Sequence, residues 1–171
     1  MPIPREQPLD VLDLAAVGEV VERQYPVAAF GRLGDRLAEP GGAAQVRLAL
    51  EMIDGTPTGV LRMRARVTLE CQRCLRPLRR TIESESKLAF VTQEDAPLPA
   101  DHEPVVGDPR RVDLEALVEE ELLLAVPLIA RHAPSEECGL PASAGSRKVE
   151  PAPAAQEMRR PFAGLKDLMK H

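Results

Sequence analysis

The stretch Leu61-Arg62-Met63-Arg64-Ala65-Arg66-Val67-Thr68-Leu69-Glu70 decides the fold. Leu61, Met63, Ala65, Val67 and Leu69 alternate with Arg62, Arg64, Arg66, Thr68 and Glu70. Ten residues of strict period two describe a strand with one buried face and one wet face. Upstream, Val46, Leu48, Leu50 and Met52 alternate with Arg47, Ala49 and Glu51 in the same way. The segment between them, Asp54-Gly-Thr-Pro-Thr-Gly59, is rich in turn residues, so the two runs read as an antiparallel hairpin. Cys71-Gln-Arg-Cys74 follows directly, and Pro77 ends that turn. Leu78, Arg80 and Ile82, continuing to Leu88 and Phe90, predict a third strand with a looser pattern.

Outward from this hairpin the chain is mixed. Leu9 to Leu37 reads as partly helical, with Asp13 as the cap of a short helix through Val17 or beyond and another turn or two over Gly31–Leu37. Pro26 breaks anything between them, and Pro40, Gly41 and Gly42 make a loop. Thr92 to Pro109 holds five prolines or glycines among several acids and reads as an exposed loop. Asp113 then caps a helix whose apolar stripe is Leu114, Leu117, Val118, Leu122 and Ala125, and Pro127 stops it. Residues 141–157 are mostly Ala, Pro, Ser and charge, as in a flexible linker. Pro161 stands where a helix begins, with Phe162, Leu165, Leu168 and Met169 on one face. The expectation is an α+β domain over 1–140, a linker over 141–160 and a short amphipathic helix over 161–171. The sheet is expected to be small and antiparallel, with closure into a barrel as a variant.

The totals set bounds. A chain of 171 residues is one ordinary domain with tails. Its core must be aliphatic, because the aromatics are only Tyr25, Phe30, Phe90 and Phe162. The net charge is −5, whereas a dominant nucleic-acid footprint is normally basic, so any nucleic-acid contact is expected through a local patch. Three cysteines do not make a disulfide framework. The first residues lack the apolar run of a signal peptide, and no window reaches the length of a membrane span. These features predict a reducing, cytoplasmic address.

Between Val60 and Arg80 there are seven arginines and one acid, Glu70. Arg62, Arg64 and Arg66 point to one side of one strand, about 6–7 Å apart. That spacing suits successive phosphates, and the guanidinium suits bidentate phosphate contact. The plainer reading is a solvated face whose arginines pair with Glu51 and Glu83. With so few aromatics, RNA contact is expected to be to backbone and shape rather than by stacking. The candidate RNA-binding set is Arg62, Arg64, Arg66, Arg73 and Arg76. From Glu94 to Glu150 there are thirteen acids and five basic residues, so the chain has a basic hairpin and an acidic helical part. Glu119, Glu120 and Glu121 read as a mostly solvated helix face that a basic protein could contact, with Phe162 and Leu165 as a second candidate docking element.

Cys71 and Cys74 have the spacing of two zinc thiolates, and His132 with Cys138 is the only credible second pair. The readings are a structural Cys3His zinc site, an inert turn with two reduced thiols, or a redox pair. The redox reading lacks the helix N-terminus that would activate a thiol. No phosphate loop, H-E-x-x-H or G-x-S-x-G is present, so no catalytic role is expected.

Three blocks are similar, in order, to the YceD family: Val67–Cys74, then Val112–Pro127 followed by His132 and Cys138, and Arg160–Met169. The tail has Arg-Arg before Pro-Phe, and the linker is unusually rich in Ala and Pro. The resemblance implies a non-catalytic factor in the synthesis, processing or stability of 23S ribosomal RNA. The implied partners are ribosomal RNA or a pre-large-subunit particle, and a basic large-subunit ribosomal protein, with neither DNA nor membrane. The alternative is an adaptor for such a basic protein without RNA contact. The resemblance carries no metal assignment.

Overall fold

The computed structural model describes residues 7–133 and Cys138. The elements in chain order are α1 (Val11–Ala16), β1 (Val20–Pro26), β2 (Leu37–Glu39), β3 (Ala43–Ile53), β4 (Thr56–Glu70), β5 (Pro77–Val91), β6 (Glu103–Val106) and α2 (Leu114–Ala125). The arginine-striped run is the body of β4, the central strand. It pairs antiparallel with β3 on one side and with β5 on the other. The β3–β4 turn is Asp54-Gly55 alone, with φ of 49° and 79° and Ile53 facing Thr56. Both residues are left-handed, as the two-residue turn that matches strand twist requires. Thr56 to Gly59, read from sequence as part of the turn, are strand.

The six strands run in the order β1-β3-β4-β5-β6, with β2 pairing the far end of β4. The sheet is open and mixed, which corrects the expectation of a purely antiparallel sheet and the barrel variant. The four residues of β6 pair in parallel with β5. Among the described strands, β1 and β6 end the row and have no pairing with each other. The segment read as an exposed loop thus contains a strand.

One face of the sheet is the core. Leu48 faces Leu61, Val46 faces Met63 and Ala44 faces Ala65 across β3 and β4, and all six are buried. Leu78, Ile82, Leu88 and Phe90 extend this face along β5. α1 covers it with Val11 and Ala15, and α2 with Leu114, Leu117, Val118 and Leu122. Ala125, the last residue of the expected stripe, is only half-buried. Burying a leucine or phenylalanine side chain contributes about 1.5–3 kcal/mol, so a core of this kind holds the sheet without aromatic bulk.

Local chemistry sets the helix ends. Asp113 caps α2, its carboxylate accepting from the N–H of Ala116 at 3.0 Å, as expected. The cap of α1 is Asp10 rather than Asp13: Asp10 accepts from the N–H of Asp13 at 3.1 Å. Asp13 itself lies in the first turn, where its charge suits the helix dipole. The expected helical turn over Gly31–Leu37 shrinks to a single 3-10 turn at Gly34–Arg36. The expected linker 141–160 and helix 161–171, with Phe162 and Leu165, lie outside the described residues.

Candidate functional site

The other face of the sheet is polar and carries the arginines. Alternation in β4 turns Arg62, Arg64 and Arg66 away from the core, and all three are exposed. The register then lines up charged rungs. Glu22 of β1, Arg47 of β3, Arg62 of β4 and Glu85 of β5 form one, and Gln24, Gln45, Arg64 and Glu83 form the next. Arg62 Nε lies 2.7 Å from Glu85 Oε2, and Arg64 Nε lies 3.2 Å from Glu83 Oε1. Arg47 contacts Glu22. Hydrogen bonding to Arg62 holds the Glu85 carboxyl below its usual range, and Glu85 raises Arg62 in turn. A shallow trough of about 850 Å³ crosses these two rungs. The pairing with Glu83 is the plainer reading made concrete, with Glu85 in place of Glu51.

Beyond these rungs no acid stands directly opposite an arginine across β4 and β5, although Glu70, and Glu39 opposite Thr68, lie nearby. Arg66 faces Thr81, Thr68 faces Arg79, and Glu70 faces Pro77. Arg73 and Arg76 lie in the turn that joins β4 to β5. Arg66, Arg73, Arg76 and Arg79 have no acidic partner among the described residues. Arg80 turns to the opposite side and donates to the carbonyl of Arg131 at 2.7 Å. Unneutralised positive charge therefore gathers at the tip of the β4–β5 hairpin. Arg79 was not among the sequence candidates, because its side of the sheet follows from the register of β5 and not from a clean pattern in its own strand.

The acidic helix is mostly occupied within the chain. Glu119 accepts from the N–H groups of Arg32 at 2.6 Å and Leu33 at 3.3 Å, and from Arg32 Nε at 3.0 Å. Its side chain is 13% exposed. Hydrogen bonding to Glu119 is the main cause of the raised Arg32 pKa. Glu120 reaches the same guanidinium at 3.5 Å, and Glu121 contacts Ser86 Oγ. The sequence carried no signal for a pairing across 87 positions.

The four metal-ligand candidates come together. β4 ends at Glu70, and the chain turns through Cys71–Cys74, with the N–H of Leu75 on the carbonyl of Cys71 at 2.8 Å. Leu75 takes a left-handed φ of 57° to close this turn. The segment after α2 is held against it by Gln72 N–H donating to the Ala130 carbonyl at 2.8 Å. That bond, with Arg80 on Arg131, delivers His132. Cys74 Sγ lies 3.5 Å from His132 Nδ1, Cys138 Sγ 3.6 Å from the same nitrogen, and Cys71 Sγ 3.8 Å from Cys138 Sγ. All four ligating atoms lie within 4.8 Å of one another. Cys71 and Cys138 are fully buried. Burial pushes the Cys71 thiol up, but hydrogen bonds from the backbone N–H groups of His132, Arg73 and Cys74, and from the His132 ring, outweigh it and bring it down to about 5. Cys138 is pushed up, by burial first and then by Cys71 and Cys74. The ring of His102, in contrast, contacts the carbonyl of Ala100, at 2.8 Å.

The family model for "Large ribosomal RNA subunit accumulation protein YceD" matches residues 60–169, which span the arginines and all four of the Cys and His residues. A protein of that name from Haemophilus influenzae is 33% identical over 149 residues, 84% of each chain. No solved structure matches. With a family model covering more than half of its length and a relative of that identity and coverage, the chain belongs to the YceD family, the large ribosomal RNA subunit accumulation proteins.

Proposed function

We propose that the chain promotes accumulation of large-subunit ribosomal RNA as a non-catalytic factor, holding the RNA backbone with the basic tip of its β4–β5 hairpin. The observation that carries this is the segregation of charge along the β4–β5 hairpin. Arg62 and Arg64 are answered by glutamates, whereas Arg66, Arg73, Arg76 and Arg79 are not. The contact is to phosphate and shape. Stacking on bases needs exposed aromatic rings, and among the described residues the rings of Tyr25, Phe30 and Phe90 are all buried. A net charge of −5 limits general affinity, so binding rests on the local patch. The three separate thiols suit a reducing compartment, and the proposed place of action is the cytoplasm.

The adaptor reading, in which the helix around Glu119–Glu121 contacts a basic ribosomal protein, draws less support. Glu119 and Glu121 are engaged by Arg32 and Ser86, leaving Glu120 as the most exposed of the three. The test is fluorescence anisotropy with labelled large-subunit ribosomal RNA fragments across a salt series. Each phosphate neutralised contributes roughly −0.7 to the slope of log affinity against log salt on single strands. Four arginines give a slope near −3, and the R66E/R79E variant should flatten it by at least about 1.4. An unchanged slope in that variant would remove the tip from the interface and favour the adaptor.

A further inference from the structure

We infer that Cys71, Cys74, His132 and Cys138 form a closed zinc site that staples the hairpin tip to the segment after α2. Three of the six ligand–ligand distances are those of a tetrahedron's edges, and all four atoms lie within 4.8 Å of one another. With Zn–S near 2.3 Å and Zn–N near 2.0–2.1 Å, tetrahedral angles place two sulfurs about 3.8 Å apart and a sulfur and a nitrogen about 3.5 Å apart. The chain sets its pairs at 3.8 Å for Cys71 with Cys138, 3.5 Å for Cys74 with His132 and 3.6 Å for Cys138 with His132. A disulfide needs about 2.05 Å, so the sulfurs stand as separate thiols around one centre.

The surroundings match a metal's needs. Gln72 N–H on the Ala130 carbonyl, at 2.8 Å, and Arg80 on the Arg131 carbonyl, at 2.7 Å, hold the two ligand-bearing segments in place from outside the cluster. Three sulfurs and one imidazole nitrogen are a donor set that zinc, a borderline-soft ion, takes tetrahedrally in structural sites. Four protein ligands leave no open position, and two of them are fully buried, so the site is structural. The ligands come from parts of the chain 58 and 67 residues apart. The ion would therefore fix the turn that carries Arg73 and Arg76 to the frame laid down by α2. This inference stands independently of the RNA reading: the site can exist whether or not the arginines touch RNA.

The experiment is elemental analysis of the full chain, purified without chelator or a polyhistidine tag, followed by replacement of the metal with cobalt(II). One zinc per chain is expected. So are the visible bands of tetrahedral cobalt(II), together with strong thiolate-to-cobalt charge transfer. Cys74→Ser should lower that charge-transfer band by about a third, as expected when one of three thiolates is lost. His132→Ala should weaken zinc retention against a competing chelator. Iron in place of zinc, no metal above background with no tetrahedral cobalt spectrum, or zinc retained equally by both variants would each overturn the inference. The cobalt spectrum of the parent chain decides the matter even if a variant fails to fold.

Discussion

Replacing Gly42 with alanine should cost more stability than any other single added methyl at the glycines of this fold. Gly42 has φ of 121°, and a Cβ built on it would lie 2.0 Å from the carbonyl oxygen of Arg66 and 3.1 Å from its carbonyl carbon. That carbonyl belongs to β4, which is paired with β5 at Arg66 and with β3 as far as Ala65, so it has little room to swing away. Gly42 also accepts from the N–H of Val27 at 3.1 Å, so its own backbone is held. Strain at a glycine-only φ costs about 1–3 kcal/mol. Overpacking adds about 1–3 kcal/mol. Together these give a loss of about 2–6 kcal/mol, a large part of the 5–15 kcal/mol typical of a domain. Gly55 is the control: its φ is 79°, but nothing lies within 4 Å of its Cβ position. Gly55→Ala should therefore cost only the left-handed strain, about 1–2 kcal/mol. Gly41, with no neighbour within 4 Å and no positive φ, should tolerate alanine within about 0.5 kcal/mol. Urea denaturation of the three variants gives the order. A Gly42→Ala loss within about 1 kcal/mol of Gly55→Ala would refute the claim that the 40–42 loop is seated on β4 at Arg66.

The remaining predictions concern caps and charges. Asp113→Ala removes the cap of α2 and should lower stability by about 1 kcal/mol, read from thermal melts; no change would mean that the bond to Ala116 is unimportant. Glu119→Ala strands the N–H groups of Arg32 and Leu33 and should cost about 1–3 kcal/mol. Arg32→Ala should cost less, because its guanidinium is exposed; the reverse order in denaturant would show that the ion pair, not the backbone contact, holds the segment. Arg62 depresses the Glu85 pKa, so this pair stabilises the fold above the unfolded carboxylate value of about 4.3, and the contribution fades as pH falls through the folded value. The urea midpoints of the parent and Arg62→Gln should thus converge on acidification; a gap that persists or widens in acid would contradict the assignment.

Strict alternation made β4 and the core of β3 readable, and the stripe Leu114, Leu117, Val118 and Leu122 with its Asp113 cap made α2 readable. What escaped had physical reasons. β1 buries only Val21 and Tyr25, four positions apart, so no period of two shows in its sequence. Pro57 and Gly59 look like turn residues, yet Pro57 faces Met52 at the end of β4 before pairing with β5 begins, where a missing N–H does no harm. β6 has four residues, one of them Pro104, and owes its place to the neighbouring β5 rather than to its own pattern. At the site, spacing named the four Cys and His residues, but only the fold could bring together groups about sixty positions apart. Which arginines are neutralised depends on register, and register is a property of two strands at once.

The measurement that tests the central claim most directly is ultraviolet crosslinking in cells with sequencing of the RNA recovered on this protein, run beside the R66E/R79E and R62Q/R64Q variants. The account predicts discrete large-subunit ribosomal RNA segments on the parent. These should be lost when the tip is reversed and largely kept when the glutamate-paired arginines are neutralised. Equal recovery from the parent and R66E/R79E, or no ribosomal RNA above background on the parent, would contradict it.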